Sequence, residues 1–427
     1  MKTRQKNRQF HLFSSNQARI FLMVWMLIIV ATNIQAQVNM GRINGSSMNA
    51  ISTAVPFVTI APDGRSSGMG DVGVATSPDV NSQHWNPAKY PFAEPKGGIA
   101  FNYATWLKNL GIDNINLSYL VGYFKPDSVS AISSSFRYFS LGEYVFTSNN
   151  GVILDRVKPF EFTLDAGYSR KLTKHLSAGI LARYIFSNLT TSSPYAPDDT
   201  YPGTSIAADF GVYYQDLFFL EDHKVRYAAG LNISNMGTPL SYHDDQRKNP
   251  IPSNLRLGGS IEYFFDHAHS ISLNADLNKL MVPTPGLYTT DSITGNQILL
   301  YGRGEPSSIF EGIYSSFYDA PGYLLEDGSR SVLLEELHEV MIGAGIEYGF
   351  YDLFKVRAGY FHEHATKGNR KYFSCGAGLH IDIFAIDFSY LFPVMDDSPL
   401  ENTYRIMLSI DFGRPRGNFL PADLFND

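Results

Sequence analysis

Gly68-Met69-Gly70-Asp71-Val72-Gly73 fits G-x-G-x-x-G, the pattern in which a strand delivers glycines to a pyrophosphate and the following helix offers its N-terminus. Both flanks argue against that chemistry. "TIAPDGRSS" upstream is polar and turn-prone, and "TSPDVNSQHWNPAKY" downstream holds two prolines and no apolar period of 3.6. The glycines are therefore expected to serve close backbone approach or positive φ. His362-Glu363-His364 could set two imidazoles on one face of a strand, as a metal pair, but no third ligand is recognisable, and a solvated rim is the expectation. "LLEELHEV", Leu333 to Val340, has helical spacing with one His and no second ligand four residues on, so it reads as a short helix and not as a zinc motif. No G-x-S-x-G elbow occurs. No enzyme, metal or cofactor is expected.

The elements that position these residues follow from composition and period. Residues 1–36 open with Lys2, Arg4, Lys6, Arg8 and Arg19, continue as "IFLMVWMLIIVA" and close on a small residue, Ala36, the three parts of a secretory signal peptide. Its removal takes five of the 34 basic residues and none of the 41 acids, which leaves 29 against 41, a charge of −12. Nucleic acid is not expected as a partner. The single cysteine, Cys375, can form no internal disulfide and reads as a small strand residue. No later window approaches 18 consecutive apolar residues, yet 26 Tyr, 30 Phe and 36 Gly suit a transmembrane β-barrel, whose alternating strands leave only a weak hydropathy signal.

Period two is found about fourteen times after residue 96. The segment 112–124 sets Ile115, Leu117, Tyr119, Val121 and Tyr123 on one face, with Asn114, Asn116, Ser118 and Gly122 on the other. The same alternation turns Phe160, Phe162, Leu164, Ala166 and Tyr168 outward, and likewise Leu176, Ala178, Ile180, Ala182, Tyr184 and Phe186. It returns in "TSIAADFGVYY", "NLRLGGSIEYFF", "FKVRAGYF" and "TYRIMLSIDF". Connections alternate between short ("KPD", "DHAH", "GFYDL") and long (141–158, 188–203, 236–252, 281–338, 362–370, 393–401), with "QDLFFLEDHK" a somewhat longer turn on the short side. This uneven rhythm separates a barrel from a soluble sandwich. The expected fold is all-β: a 14-stranded antiparallel transmembrane barrel of residues 97–413, preceded by a plug segment at 37–96 and followed by a periplasmic tail at 414–427. The long loops would be extracellular and the termini periplasmic, in the outer membrane.

Asp165, Arg183, Asp209, Arg226, Arg256, Glu262, Asp276, Glu347, Arg357 and Arg405 all fall in the polar phase of their strands. On the lipid face such charges would cost up to about 2–4 kcal/mol each near the midplane, so they are assigned to the lumen. Mixed signs favour mutual pairing inside a plugged lumen over a transport path lined by charge. In the longest loop, "SSIFEGIYSSFYDAPGYLL" carries Ile309, Phe310, Ile313, Tyr314, Phe317, Tyr318, Tyr323, Leu324 and Leu325, which either fold over the barrel mouth or present an apolar surface to a partner.

Residues 53–92, "TAVPFVTIAPDGRSSGMGDVGVATSPDVNSQHWNPAKYPF", resemble the N-terminal signature of the PorV (LptO) family, outer-membrane barrel proteins of the type IX secretion system of Bacteroidota. "FRYFSLGE" (136–143), "GLNISNMGT" (230–238) and "ADLNKL" (275–280) resemble further family segments. Asn86-Pro87-Ala88 is also similar to a triplet of the wider FadL-like family of plugged fourteen-stranded barrels. The resemblance implies a carrier that works with a SprA-type translocon, binds the C-terminal signal domain of secreted cargo and passes it to a PorU-containing attachment complex, in contact with outer-membrane lipid and lipopolysaccharide. Loop length and composition, apart from the resemblance, point to Phe310, Tyr314, Phe317 and Tyr318 as cargo anchors. The alternatives are a FadL-like transporter of a hydrophobic small molecule and a lipopolysaccharide-modifying hydrolase, the latter without a nucleophile to carry it.

Overall fold

The computed structural model describes residues 49–112, 114–189, 200–243, 248–291, 294–304, 306 and 308–413. The signal peptide, residues 37–48 of the plug segment and the tail 414–427 lie outside them. Among the described residues, fourteen strands close into one antiparallel barrel in which every strand pairs with its neighbours in sequence. They are β1 (Gly97–Thr105), β2 (Ile115–Phe124), β3 (Ser130–Leu141), β4 (Phe160–Lys171), β5 (Leu176–Asn188), β6 (Gly203–Leu220) and β7 (His223–Gly237). The second half comprises β8 (Asn254–Phe264), β9 (His269–Leu280), β10 (Val340–Phe350), β11 (Phe354–His362), β12 (Lys371–Ile381), β13 (Phe384–Pro393) and β14 (Tyr404–Phe412). The seam joins β1 to β14, from Gly97 opposite Phe412 to Ala104 opposite Arg405. Closure leaves no unpaired edge along the wall, the condition for a sheet to sit in hydrocarbon. No helix of the described residues is long and apolar enough to cross a membrane.

Alternation accounts for the two faces. Ile99, Phe101, Ile132, Leu164, Ile180, Ile206, Leu273, Val356 and Leu408 are exposed on the outside, and the intervening residues are buried within. In β2 the phase is the reverse of what its hydropathy suggests. Ile115, Leu117, Tyr119, Val121 and Tyr123 point inward, where Tyr119, Val121 and Tyr123 join Val80 and Tyr90, and Leu117 meets Val55 and Phe57. A lumen filled with protein is a core, and a core accepts an apolar face as readily as lipid does. "QDLFFLEDHK" is another departure. It is no loose turn, because β6 and β7 run on as a hairpin through Leu220 and His223 around Glu221, whose φ is 56°. Leu217, Phe218, Phe219 and Leu220 are exposed on that extension.

Residues 49–96 run through the lumen. Asn49 donates to the Thr366 carbonyl at 3.0 Å among the long loops, and at the opposite end Lys125 donates to the Lys96 carbonyl at 2.7 Å. Two single helical turns, Gly64–Ser67 and Ser82–Trp85, hold the middle of this thread. Asp63 caps the first turn by accepting from Ser66 N at 2.8 Å and ties it to the second by accepting from Trp85 Nε1 at 2.7 Å. The prolines at 87 and 91 fall in a 3-10 segment, Pro87–Phe92, that Asn86 caps through Ala88 N at 3.1 Å.

Candidate functional site

The lumen is closed by contacts between wall side chains and the thread's backbone. Arg137 gives Nη1 to the carbonyls of Phe57, Val58 and Ile60 at 2.9–3.3 Å. Arg405 gives Nε to Ala61 O at 2.9 Å, and Arg256 gives Nη1 to His84 O at 2.9 Å. Asp276 accepts from the backbone N–H groups of Gly73 and Val74 at 2.7 and 2.9 Å. Glu347 takes both Nε and Nη2 of Arg65, at 3.1 and 3.0 Å, and Arg65 also reaches Asp79 at 2.8 Å. Within the wall, Arg183 bridges Asp165 and Asp209, Arg357 bridges Glu347 and Asp387, and Arg226 pairs with Glu262. The ten charges assigned to the lumen thus divide between clamping the thread and pairing with one another.

The six motif residues of the thread are used for packing. A Cβ on Gly70, whose φ is +76°, would stand 2.5 Å from the Tyr360 carbonyl oxygen. One on Gly68 would meet Gly376 Cα at 3.1 Å, and one on Gly73 would enter the Trp85 ring. Asn86 donates to the carbonyls of Val74 and Val212, Pro87 opens the 3-10 segment, and Ala88 is fully buried. The wall reciprocates: a Cβ on Gly359 would lie 2.0 Å from the Met69 carbonyl carbon. This spacing is well inside the ~3.5–4.0 Å of a favourable carbon contact, so thread and wall touch backbone to backbone.

At the long-loop end the connection between β9 and β10 folds into α1 (Ile309–Ser315), two short hairpins (Leu287–Thr290 with Gln297–Tyr301, Tyr323–Leu324 with Arg330–Ser331) and α2 (Val332–His338). Ser308 caps α1 through Glu311 N, and Ser331 caps α2 through Leu334 N. A buried ionic cluster fastens α2 to the barrel rim. Lys279 at the end of β9 reaches Glu336 at 2.9 Å and Glu339 at 2.6 Å, and Lys367 reaches Glu335 at 2.7 Å and Glu339 at 3.0 Å. Thr284 and Asn49 complete it with bonds to Glu339 and Glu335. Burial pushes the carboxyls of Glu336 and Asp319 above the usual range.

Two faces of this loop result. Gly312, Ser315, Ser316, Asp319 and Ala320 are buried, while Phe310 is 81% and Tyr314 71% exposed. These two stand four residues apart, on one side of α1. Phe317 and Tyr318 are exposed beside them, Tyr318 packed edge-on to Tyr314 and beneath Arg303. Leu333 and Leu337 of α2 are exposed at the same helical spacing, a pair that the sequence displays in "LLEELHEV" and that the reading of that segment as a plain helix passes over.

His362, Glu363 and His364 are drawn apart. Glu363 turns in and takes Arg370 in a two-pronged pair at 2.8 and 2.9 Å, and His364 stacks flat on His338 with ring centroids 3.5 Å apart. So His364 docks on α2 instead of standing in a solvated rim. Among the described residues no group of three potential ligands could hold a metal ion.

No curated protein matches the chain. Solved structures similar to it include a deltaS2S3 mutant of the TodX monoaromatic hydrocarbon channel, 11% identical, covering 82% of this chain and 99% of that one, with a TM-score of 0.46. The toluene transporter TodX of Pseudomonas putida is 10% identical over 81% of this chain and 97% of its own, with a TM-score of 0.45. TbuX, the toluene transporter of Ralstonia pickettii, is 11% identical over 82% and 98%, with a TM-score of 0.41. Residues 44–287, more than half of the chain, match the family described as type IX secretion system protein PorV, a span that takes in the thread and β1 through β9. The chain belongs to the PorV family of type IX secretion system proteins, as an outer-membrane β-barrel.

Proposed function

We propose that the protein is a carrier: it receives the C-terminal signal domain of secreted cargo at a SprA-type translocon and delivers it to a PorU-containing attachment complex at the cell surface. The observation that carries this reading is an exposed aromatic face, Phe310 and Tyr314 of α1 with Phe317 and Tyr318 beside them, followed directly by Asp319 and Ala320, which bond to Thr284 and to Glu336 of the buried ionic cluster at the rim. Aromatic side chains bury large areas at low entropic cost, and a fixed backbone lowers the ordering cost of binding. A lumen packed backbone to backbone supports a binding role over passage of a solute. The test is retention of a purified cargo signal domain by the detergent-extracted barrel. Wild type is expected to retain it and a variant lacking residues 305–325 to lose it; undiminished retention by the deletion variant removes the loop from the binding site.

A further inference from the structure

β6 and β7 continue past the short-turn rim as a two-stranded hairpin, in unbroken register from Gln215 opposite Ala228 to Leu220 opposite His223. β5 goes no further than Leu176 opposite Tyr214, and its side makes one more bond, from Gln215 N to the His175 carbonyl at 2.9 Å. From Asp216 onward that edge of β6 has no neighbouring strand among the described residues. In an antiparallel strand both main-chain groups of a residue point to one edge, and successive residues take opposite edges. Gln215 points to β5, so Leu217 and Phe219 point to the open edge. Asp216 Oδ1 takes the Leu217 N–H at 2.7 Å. The Leu217 carbonyl and both main-chain groups of Phe219 meet no partner among the described residues.

Lipid does not reach this edge. Tyr168, Tyr214, Tyr227 and Tyr263 stand in the outward phase at this end, the place of an interfacial aromatic girdle, and Phe218 packs beyond them on Tyr227 with ring centroids 5.9 Å apart. From Tyr214 to Leu220 the strand advances about 20 Å, or about 15 Å along the membrane normal at a tilt of about 40°. The headgroup layer is only about 5–7 Å deep, so the tip stands in water. Leu217, Phe218, Phe219 and Leu220 are exposed there on both faces of a strand that has no lysine, proline or bulge to block its edge. Glu221 and Asp222 at the turn are exposed and make no ion pair among the described residues. A second copy does not fit the edge: two copies in one bilayer point their hairpins the same way, whereas identical edges pair across a two-fold axis only when antiparallel.

We propose that this edge receives an extended segment of another polypeptide on the short-turn side, the periplasmic side of an outer-membrane barrel, which adds to the hairpin as a third strand. Its main chain bonds to Leu217 O and to Phe219 N and O. Its apolar side chains lie beside Leu217 and Phe219 on one face and Phe218 and Leu220 on the other, and a lysine or arginine next to the turn meets Glu221 and Asp222. A two-stranded ribbon is marginal by itself, and a third strand steadies it. The inference stands apart from the carrier reading, which concerns the long-loop end.

The test places the full-length barrel in phosphatidylethanolamine–phosphatidylglycerol nanodiscs and titrates a fluorescent synthetic peptide of alternating valine and tyrosine with lysine at both ends, beside the same peptide N-methylated throughout. The free-amide peptide is expected to bind roughly ten- to a hundredfold more tightly, the worth of two or three main-chain bonds. Phe219→Pro removes an N–H that has no acceptor within the hairpin and is expected to erase the difference, while Phe219→Tyr keeps it. Equal binding of the two peptides to wild type, or none, overturns the proposal. Binding that appears only after residues 414–427 are removed also overturns it and gives the edge to the chain's own tail. Leu220→Trp checks the premise without a peptide. In nanodiscs of brominated lipid its fluorescence should escape the quenching suffered by Leu164→Trp on the lipid face; equal quenching returns the edge to the bilayer and ends the proposal.

Discussion

Gly359 on β11 faces the thread, and Gly259 on β8 faces outward; an alanine scan of these two separates thread packing from general effects on strand propensity. A Cβ at 359 would sit 2.0 Å from Met69 C and 2.2 Å from Gly70 N, both backbone atoms, and Gly345, the partner of Gly359 on the neighbouring strand, abuts Met69 from the same side. Relief requires the thread to shift by roughly 1.5 Å to reach an ordinary carbon contact of ~3.5 Å. Such overpacking costs about 1–3 kcal/mol, and more where the backbone cannot yield. At 259 the nearest atom would be the Ala228 carbonyl oxygen at 3.8 Å, an ordinary contact. There the lost flexibility of the unfolded chain makes alanine neutral or stabilising by up to about 1 kcal/mol. The assay is the temperature at which the folded barrel loses its compact gel mobility, paired with protease sensitivity of residues 53–92. Gly359→Ala should lower the transition and expose the thread, and Gly259→Ala should do neither. Equal behaviour of the two variants would refute the claim that backbone contact holds the lumen shut.

Arg65→Met strands Glu347 with one guanidinium in place of two and should lower stability by about 3–5 kcal/mol in a denaturant titration, much of it restored by the double change with Glu347→Gln. His364 is held down to about 4 by burial and then by His338 against it, below its ordinary 6.5. A base whose docked form binds protons less readily than its released form loses docking free energy as pH falls from about 6.5 toward 4 and is unaffected above that window. Cleavage of the loop around α1 should therefore rise on acidification, and His364→Gln should flatten the rise; a profile that is the same in both proteins removes the stacked pair from the cause. Glu336 and Asp319, whose pKa values are raised, act in the opposite direction in both proteins, while His338, lowered by burial, acts in the same direction as His364, so the variant removes one of the two imidazole contributions. Phe310→Ser with Tyr314→Ser should leave the unfolding transition within about 0.5 kcal/mol, as for exposed positions generally, while retention of cargo signal domain falls.

The wall was legible in the sequence because a period of two needs no partner to be read, and a charge placed in one phase fixes which face is wet. That logic fails where both faces are apolar environments, as at β2, whose Tyr119 and Val121 pack on Val80 of a segment some forty residues earlier. It also misses a strand that outruns the wall, as β6 does beyond its pairing with β5, which ends at Tyr214. The thread's role could be suspected from its glycines, yet the partners, Gly359 for Met69 and Gly376 for Gly68, are separated by hundreds of residues and leave no local mark. The ionic cluster under α2 is illegible for the same reason: Lys279, Lys367 and three glutamates look like ordinary surface charges until the loop is folded. At His362-Glu363-His364 the expected solvated rim fails because the strand ends at His362, and Glu363 and His364 turn to Arg370 and His338, partners that the segment's own spacing does not show.

The thread runs from the long-loop rim near Asn49 to the short-turn rim near Lys96, only then becoming the first stave of the wall. The β1–β14 seam, from Gly97–Phe412 to Ala104–Arg405, closes around a core that touches it, since Arg405 of that seam holds the Ala61 carbonyl. Wall and core are thus one body, and neither is a complete structure without the other.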